Sequence, residues 1–260
     1  MKILLMLPYC SSITYEKVFT DITQRTNQQF HKYYRLVTEG LIANGVEVSV
    51  GCSFEVNNIN CPQRIIRIGD EVVEGVAFHY FITVNLRILG RVIKCFQSAF
   101  FTFNYCIRNR DAVVFCDPNK VAIACGAIAG ARLAGRPVIY NLGDLPSINT
   151  ESVGQKQTFR SKFADRLIDK ADGYLFVTEA ENTMLNHNSK PYVVIEGIVD
   201  DKLSRLENVF ENKYPKRVML YTGGIVRHYG LEQLIEAFSK KLNPEVLLLA
   251  LSAWGTLVFR

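Results

Sequence analysis

KRVMLYTGGIVRHYGLEQLIEAF (Lys216–Phe238) holds a strand, a glycine turn and a helix in one short stretch. Val218–Tyr221 is an apolar run of strand length, and Gly223–Gly224 supplies the turn. Leu231, Leu234, Ile235 and Phe238 then recur at the three- and four-residue steps of one helix face. Where a strand passes through glycine into a helix, backbone N–H groups converge and can meet a phosphate. A β-turn-α unit of this kind belongs to architectures in which strands and helices alternate.

The alternation runs back to the first residue. Strands are expected at Lys2–Pro8, Val46–Cys52, Ala112–Cys116, Pro137–Leu142, Gly173–Val177 and Tyr192–Ile195. Helices are expected at Asn27–Ala43, Leu86–Arg108, Lys120–Ala134, Phe159–Lys170 and Glu179–Asn186. Arg64–Asn85 is β-rich, with Glu74-Gly75 as a hairpin signal, and Pro8–Arg25 reads as a long polar loop. The strands are continuous Val/Ile/Leu/Tyr runs, the pattern of a sheet covered on both faces. The fold class is therefore α/β: a doubly wound, parallel-sheet, Rossmann-like domain followed by the start of a second one. Asp200–Pro215 is more polar and ends in proline, which gives a first domain over 1–200, a linker over 201–215 and a second domain from 216 to 260. That second domain holds a strand at 217–221, a helix at 229–242 and a strand at 246–251, little for a core of its own.

The chain has 260 residues, 48% of them hydrophobic, and a net charge of +5. The charge permits anionic partners, but no Lys/Arg run forms a nucleic-acid stripe. Seven cysteines without a CxxC pair read as reduced core residues of a cytoplasmic protein, and neither a disulfide framework nor a metal site is expected. MKILLMLPYC reads as a first strand, because a signal peptide needs a longer apolar region and a small-residue cleavage site. Leu86–Cys106 is rich in aromatic residues and carries Arg87, Arg91 and Lys94 near its start. It reads as a core helix covering the sheet or as a basic, aromatic face resting on a membrane surface.

Doubly wound folds bind ligands at the carboxyl ends of their strands. Four such segments carry polar residues: Pro8–Arg25, Cys116–Asn119, Asn141–Pro146 and Glu196-Gly197. Asp144 is either a carboxylate held on a stiff turn or a simple turn cap. Asp117 precedes a proline and can terminate its strand, with Asn119 available to cap the next helix. No GxGxxG follows the first strand and no GxSxG elbow is present, which disfavours a nicotinamide enzyme and a hydrolase.

The order ADGYLFVTEAENTML, KPYVVIEGIVD and RVMLYTGGIVRHYGLEQLIEAF resembles the interdomain region of glycosyltransferase family 4, retaining enzymes of GT-B fold. The matching elements are Thr178-Glu179, Glu196–Asp200, Tyr221-Thr222-Gly223 and the helix Gly230–Phe238. The resemblance implies a first domain that binds a glycan or lipid-linked acceptor and a second that binds a nucleotide-sugar donor. It gives Asp144 and Glu196 as catalytic candidates, and Asp117 and Asn119 as residues of the acceptor-side cleft. Gly223, Gly224 and Arg227 would meet the donor diphosphate, where amides and a cation offset the leaving-group charge. No metal and no cofactor beyond the nucleotide-sugar co-substrate is implied; the location is cytoplasmic, at the inner face of the membrane if the acceptor is lipid-linked.

The chain also departs from the family pattern. Gly224 and Tyr229 stand where the family carries Arg and Lys, Glu196 where it has Asn, and Gly143 where many relatives have His. Nothing like the family's Glu-x7-Glu segment follows Phe238, and EVLLLALS runs into AWGTLVFR without the expected glycine turn. A frameshifted or truncated, inactive chain and an acceptor-binding subunit with a separate donor-binding chain are the alternatives to an enzyme.

Overall fold

The computed structural model describes residues 1–19, 28–56, 61, 63–143, 163, 166–200, 217–222, 230–240, 246–252 and 255–259. They divide into two compact units, one up to Val199 and one beyond it. In the first unit β1 (Lys2–Met6) is followed by α1 (Ser12–Phe19), α2 (Gln28–Ala43) and β2 (Glu47–Cys52). Four short strands come next: β3 (Ile65–Ile66), β4 (Glu71–Val73), β5 (Val76–Tyr80) and β6 (Thr83–Val84). The unit continues with α3 (Leu89–Arg108), β7 (Ala112–Cys116), α4 (Val121–Leu133), β8 (Val138–Leu142) and β9 (Gly173–Phe176). It closes with α5 (Glu179–Leu185) and β10 (Tyr192–Val194). Of the helix expected over Phe159–Lys170, Phe163 and residues 166–170 are described; Phe163 and 166–168 are helical, and 169–170 form a turn.

Eight strands form one sheet in the order β10-β9-β8-β7-β1-β2-β5-β4, and all neighbours are parallel except β4 and β5. This is the doubly wound α/β sheet expected from the sequence. Leu4, Leu5, Met6 and Leu7 are fully buried, as a central strand covered on both faces requires. Burying each side chain contributes about 2 kcal/mol. The β4–β5 hairpin turns through Glu74 (φ 52°) and Gly75 (φ 81°), the left-handed pair that matches strand twist in a two-residue turn.

Helix α1 corrects the reading of Pro8–Arg25 as a loop. Ser11 ends the strand–helix turn: its hydroxyl accepts the Thr14 N–H (3.0 Å), and its carbonyl accepts from Tyr15 N (2.8 Å). Tyr15 and Phe19, one turn apart, supply the buried face. Glu71 of β4 holds this turn in place by accepting from the hydroxyls of Ser11 (2.5 Å), Tyr80 (2.6 Å) and Thr14 (2.9 Å).

Helices α3 and α4 meet through small residues. A Cβ added at Gly126 would stand 2.2 Å from the Cys95 carbonyl, and one at Gly130 would stand 2.4 Å from that of Ala99. Ser98, wholly buried in this seam, donates to the Ile123 carbonyl (2.7 Å). Helix α3 thus meets α4 through Ser98 and Thr102, sets Phe101 beside Gly51 and the Tyr105 hydroxyl as donor to Ser49 Oγ (3.1 Å) on β2, and leaves Phe96 and Phe100 outward.

The second unit pairs β11 (Arg217–Thr222) in parallel with β12 (Val246–Ser252), joined by α6 (Leu231–Lys240). A further strand, β13 (Gly255–Phe259), runs antiparallel to β12. Gly255–Phe259 therefore supplies an unexpected strand, in keeping with its β-branched and aromatic residues Thr256, Val258 and Phe259. Along α6, Leu231 is buried and Leu234, Ile235 and Phe238 half-buried, whereas Glu232, Gln233 and Glu236 are exposed, as their periodicity predicts.

Candidate functional site

The sheet order places a topological switch at β1: its neighbours β2 and β7 lead the chain outward in opposite directions. A crevice opens at the carboxyl ends of the strands at such a point. Here Tyr9 and Cys10 follow β1, and Asp117 follows β7. A cavity of about 190 Å3 opens beside β1, lined by Tyr9, Cys10, Ser12, Tyr15, Glu16, His31, Lys32 and Arg35. Its walls are therefore the end of β1, the first half of α1 and the start of α2. The volume is below the roughly 300–1,000 Å3 of most small-molecule sites, which suits a single ring better than a whole nucleotide.

Burial sets the protonation of this cavity. His31 lies 4.4 Å from the Tyr15 ring between centroids, with Nδ1 3.9 Å from Cys10 Sγ. Burial pushes its pKa down to about 4; the Cys10 backbone and Glu55 act against that shift, and Lys120 adds to it. The imidazole is therefore neutral at pH 7, with one ring nitrogen as donor and the other as acceptor. Burial also pushes the Tyr9 hydroxyl and the Cys10 thiol up to about 12. A thiol held protonated is a poor nucleophile. The cavity offers hydroxyls, a neutral imidazole, aromatic edges and peripheral charges, groups that can hydrogen-bond to a polar ring.

Beside it, Lys120 Nζ and Glu55 Oε2 are 2.7 Å apart, with side chains 18% and 31% exposed. Lys120 also sits 4.8 Å from the Phe30 ring centroid. One lysine thus ties the segment after β7 to the segment after β2 and to α2. On the other side of β7, the buried Asn141 of β8 donates to the Tyr34 hydroxyl (2.7 Å) and accepts from that of Tyr33 (3.1 Å). Tyr34 is wholly buried, and desolvation holds its phenol well above the ordinary range.

Asp117 is buried, and its carboxylate accepts from the Asn119 N–H (2.8 Å), which closes the turn after β7. The helix it precedes is not capped by Asn119, because the N-cap position falls on Lys120 and no side chain bonds there. Glu196 is exposed and makes no hydrogen bond or ion pair among the described residues. It follows β10, three strands from β7, so roughly 14 Å of sheet separates it from Asp117. Thr178-Glu179 is a helix start: Thr178 and Glu181 form a capping box, and Glu179 accepts from Asn182 (2.7 Å) and the Tyr192 hydroxyl (3.0 Å). Asp144, Gly223, Gly224 and Arg227 lie outside the described residues.

Sequence reasoning missed Tyr9, His31, Glu55 and Lys120. Tyr9 stood inside a segment already marked as a strand end, but the other three come from separate segments that only the sheet order brings together.

No protein-family model and no curated protein sequence matches the chain. Solved structures with a similar backbone include HepE of Anabaena in complex with UDP-glucose, at 14% identity and a TM-score of 0.49 over 96% of this chain. The S. aureus MnaA–UDP co-structure (12% identity, TM-score 0.44) covers 96% of this chain, and the apo form of the lipopolysaccharide outer core galactosyltransferase WaaB (12%, 0.46) covers 97%. This chain spans about 60% of the length of the HepE chain, 61% of MnaA and 69% of WaaB.

Proposed function

We propose that the chain is glycosyltransferase-like: its first domain, 1–200, binds a glycan or lipid-linked acceptor, and a linker at 201–215 leads to a nucleotide-sugar-binding region from 216 onward. The observation that carries this reading is the cavity at the end of β1, whose neutral hydrogen-bonding groups and aromatic edges suit a sugar ring. The order of motifs from Thr178-Glu179 to the α6 helix supports the donor half. There Gly223 and Gly224 would bring backbone amides to the diphosphate, with Arg227 as the cation that offsets its charge. Asp144 and Glu196 are the proposed acidic groups near the transferred sugar, and Asp117 and Asn119 border the acceptor side. The proposed setting is the cytoplasm, at the inner face of a membrane if the acceptor is lipid-linked; all seven cysteines are free, in keeping with a reducing compartment.

Titration calorimetry with UDP and UDP-glucose tests the donor half. Binding that weakens at least about 10-fold in Arg227→Ala, the loss of one charge-assisted contact, supports it. Binding unchanged by that substitution would overturn the assignment of Arg227.

A second reading makes the chain an acceptor-binding subunit that needs a separate donor-binding chain. One observation favours it: Val218, Met219 and Leu220 of β11 remain 39–49% exposed, although a parallel strand normally has both faces covered. Nucleotide binding seen only after a partner chain is added would decide for this reading.

A further inference from the structure

Helix α3 is amphipathic with its apolar face turned outward. Leu89, Val92, Phe96, Phe100, Phe103 and Ile107 succeed one another at three- and four-residue steps and so form one stripe along the helix. The opposite side, Gly90, Ser98, Thr102 and Cys106, is the buried one. Phe96 and Phe100 are 72% and 73% exposed, and Leu89, Ile107 and Val92 are between 45% and 52%. The stripe continues at its N-terminal end into Ile88, which is 75% exposed, and Leu86. At 20 residues the helix is about 30 Å long. Contiguous apolar surface on that scale is rare on a soluble face and marks a contact.

Charge identifies the partner. Between Gly75 and Asp111 the chain has no Asp or Glu, yet it carries Arg87, Arg91, Lys94, Arg108 and Arg110. Lys94 is turned inward onto the Phe54 carbonyl (3.2 Å). Arg87, Arg91 and Arg108 are exposed and make no ion pair among the described residues. Unpaired arginines at both ends of an apolar stripe match an anionic headgroup layer above acyl chains. No helix among the described residues is long and apolar enough to cross a membrane, so the fitting geometry is a helix lying in the interface.

We infer that the outer face of α3 docks the protein onto an anionic lipid surface, with Phe96 and Phe100 inserted below the headgroups and Arg87 and Arg108, at the two ends of the stripe, among them. This contact is independent of nucleotide binding, so either property can fail without the other.

Flotation of the full chain with phosphatidylcholine vesicles, with and without phosphatidylglycerol, tests it. Binding is expected only with phosphatidylglycerol and is weakened by salt. Arg87→Gln with Arg108→Gln should lower the partition coefficient roughly 30-fold, at about 5-fold per arginine. Phe96→Gln with Phe100→Gln should lower it roughly 100-fold through lost apolar burial. All four side chains point to solvent or nearly so, and circular dichroism melts matching the parent's show that the variants fold. Binding indifferent to lipid charge or to both double substitutions overturns the inference, as does no binding to either vesicle. A concentration-dependent dimer in sedimentation that Phe96→Gln/Phe100→Gln abolishes, with no vesicle binding, would assign the face to a second copy of the chain and overturn it equally.

Discussion

Lowering the pH from 7 to 5 should destabilise the first unit by about 2 kcal/mol through His31 alone. The unfolded imidazole titrates at its ordinary 6.5 and the folded one at about 4, because burial beside Tyr15, Cys10 and Lys120 disfavours its charge. Between these values the unfolded chain takes up a proton that the folded chain refuses. The stabilisation is therefore complete above the unfolded value of 6.5 and is lost as pH falls toward the folded value. Linkage over the window from pH 7 to pH 5 gives about 2 kcal/mol. Glu55 favours the charged form but does not reverse the shift. Urea melts of the parent and of His31→Gln at both pH values isolate the effect, since other groups titrate alike in the two proteins. The parent should lose about 2 kcal/mol more than the variant. Equal losses, or an imidazole titration midpoint above pH 6 by NMR, would refute the assignment of a buried, neutral histidine.

Two further outcomes follow from packing and charge. Gly126→Ala should destabilise the first unit by roughly 1–3 kcal/mol, because its Cβ has a backbone carbonyl 2.2 Å away and α3 must separate from α4; a thermal melt unchanged from the parent's contradicts this seam. Burial tends to raise the Glu71 pKa, but hydrogen bonds from Ser11, Tyr80 and Thr14 outweigh it and hold the carboxyl below its ordinary 4.5. Its stabilisation is thus present above about pH 4.5 and lost below it. Acid unfolding of Glu71→Gln should accordingly be less steep in that range, and an unaltered acid limb would count against the cluster.

The parallel sheet was legible because its strands are apolar on both sides, so β1, β7, β8 and β9 fell within one or two residues of their expected bounds. Helix α1 was not, since its inward residues are Thr14, Tyr15 and Phe19 while apolar Ile13 faces outward, which blurs the periodicity. For α3 the periodicity was visible but not its direction: a stripe of Phe and Leu ordinarily packs inward, and here Gly126 and Gly130 draw the small-residue side against the body. At the site, Asp117 could be found because it ends a strand. His31, Glu55 and Lys120 sit on separate segments, and sequence spacing carries no sign of their meeting.

The glycine seam between α3 and α4 also sets an orientation. With backbone against backbone at Gly126 and Gly130, and Ser98 bonded across the seam, α3 cannot roll about its own axis. Its outward stripe therefore has a fixed bearing on the sheet. If α3 beds into a lipid layer, the first unit lies on its side, with the strands running roughly along the surface. The crevice at the end of β1 then opens sideways over the headgroups, so that a substrate carried by a lipid would reach it by diffusing in the plane of the membrane.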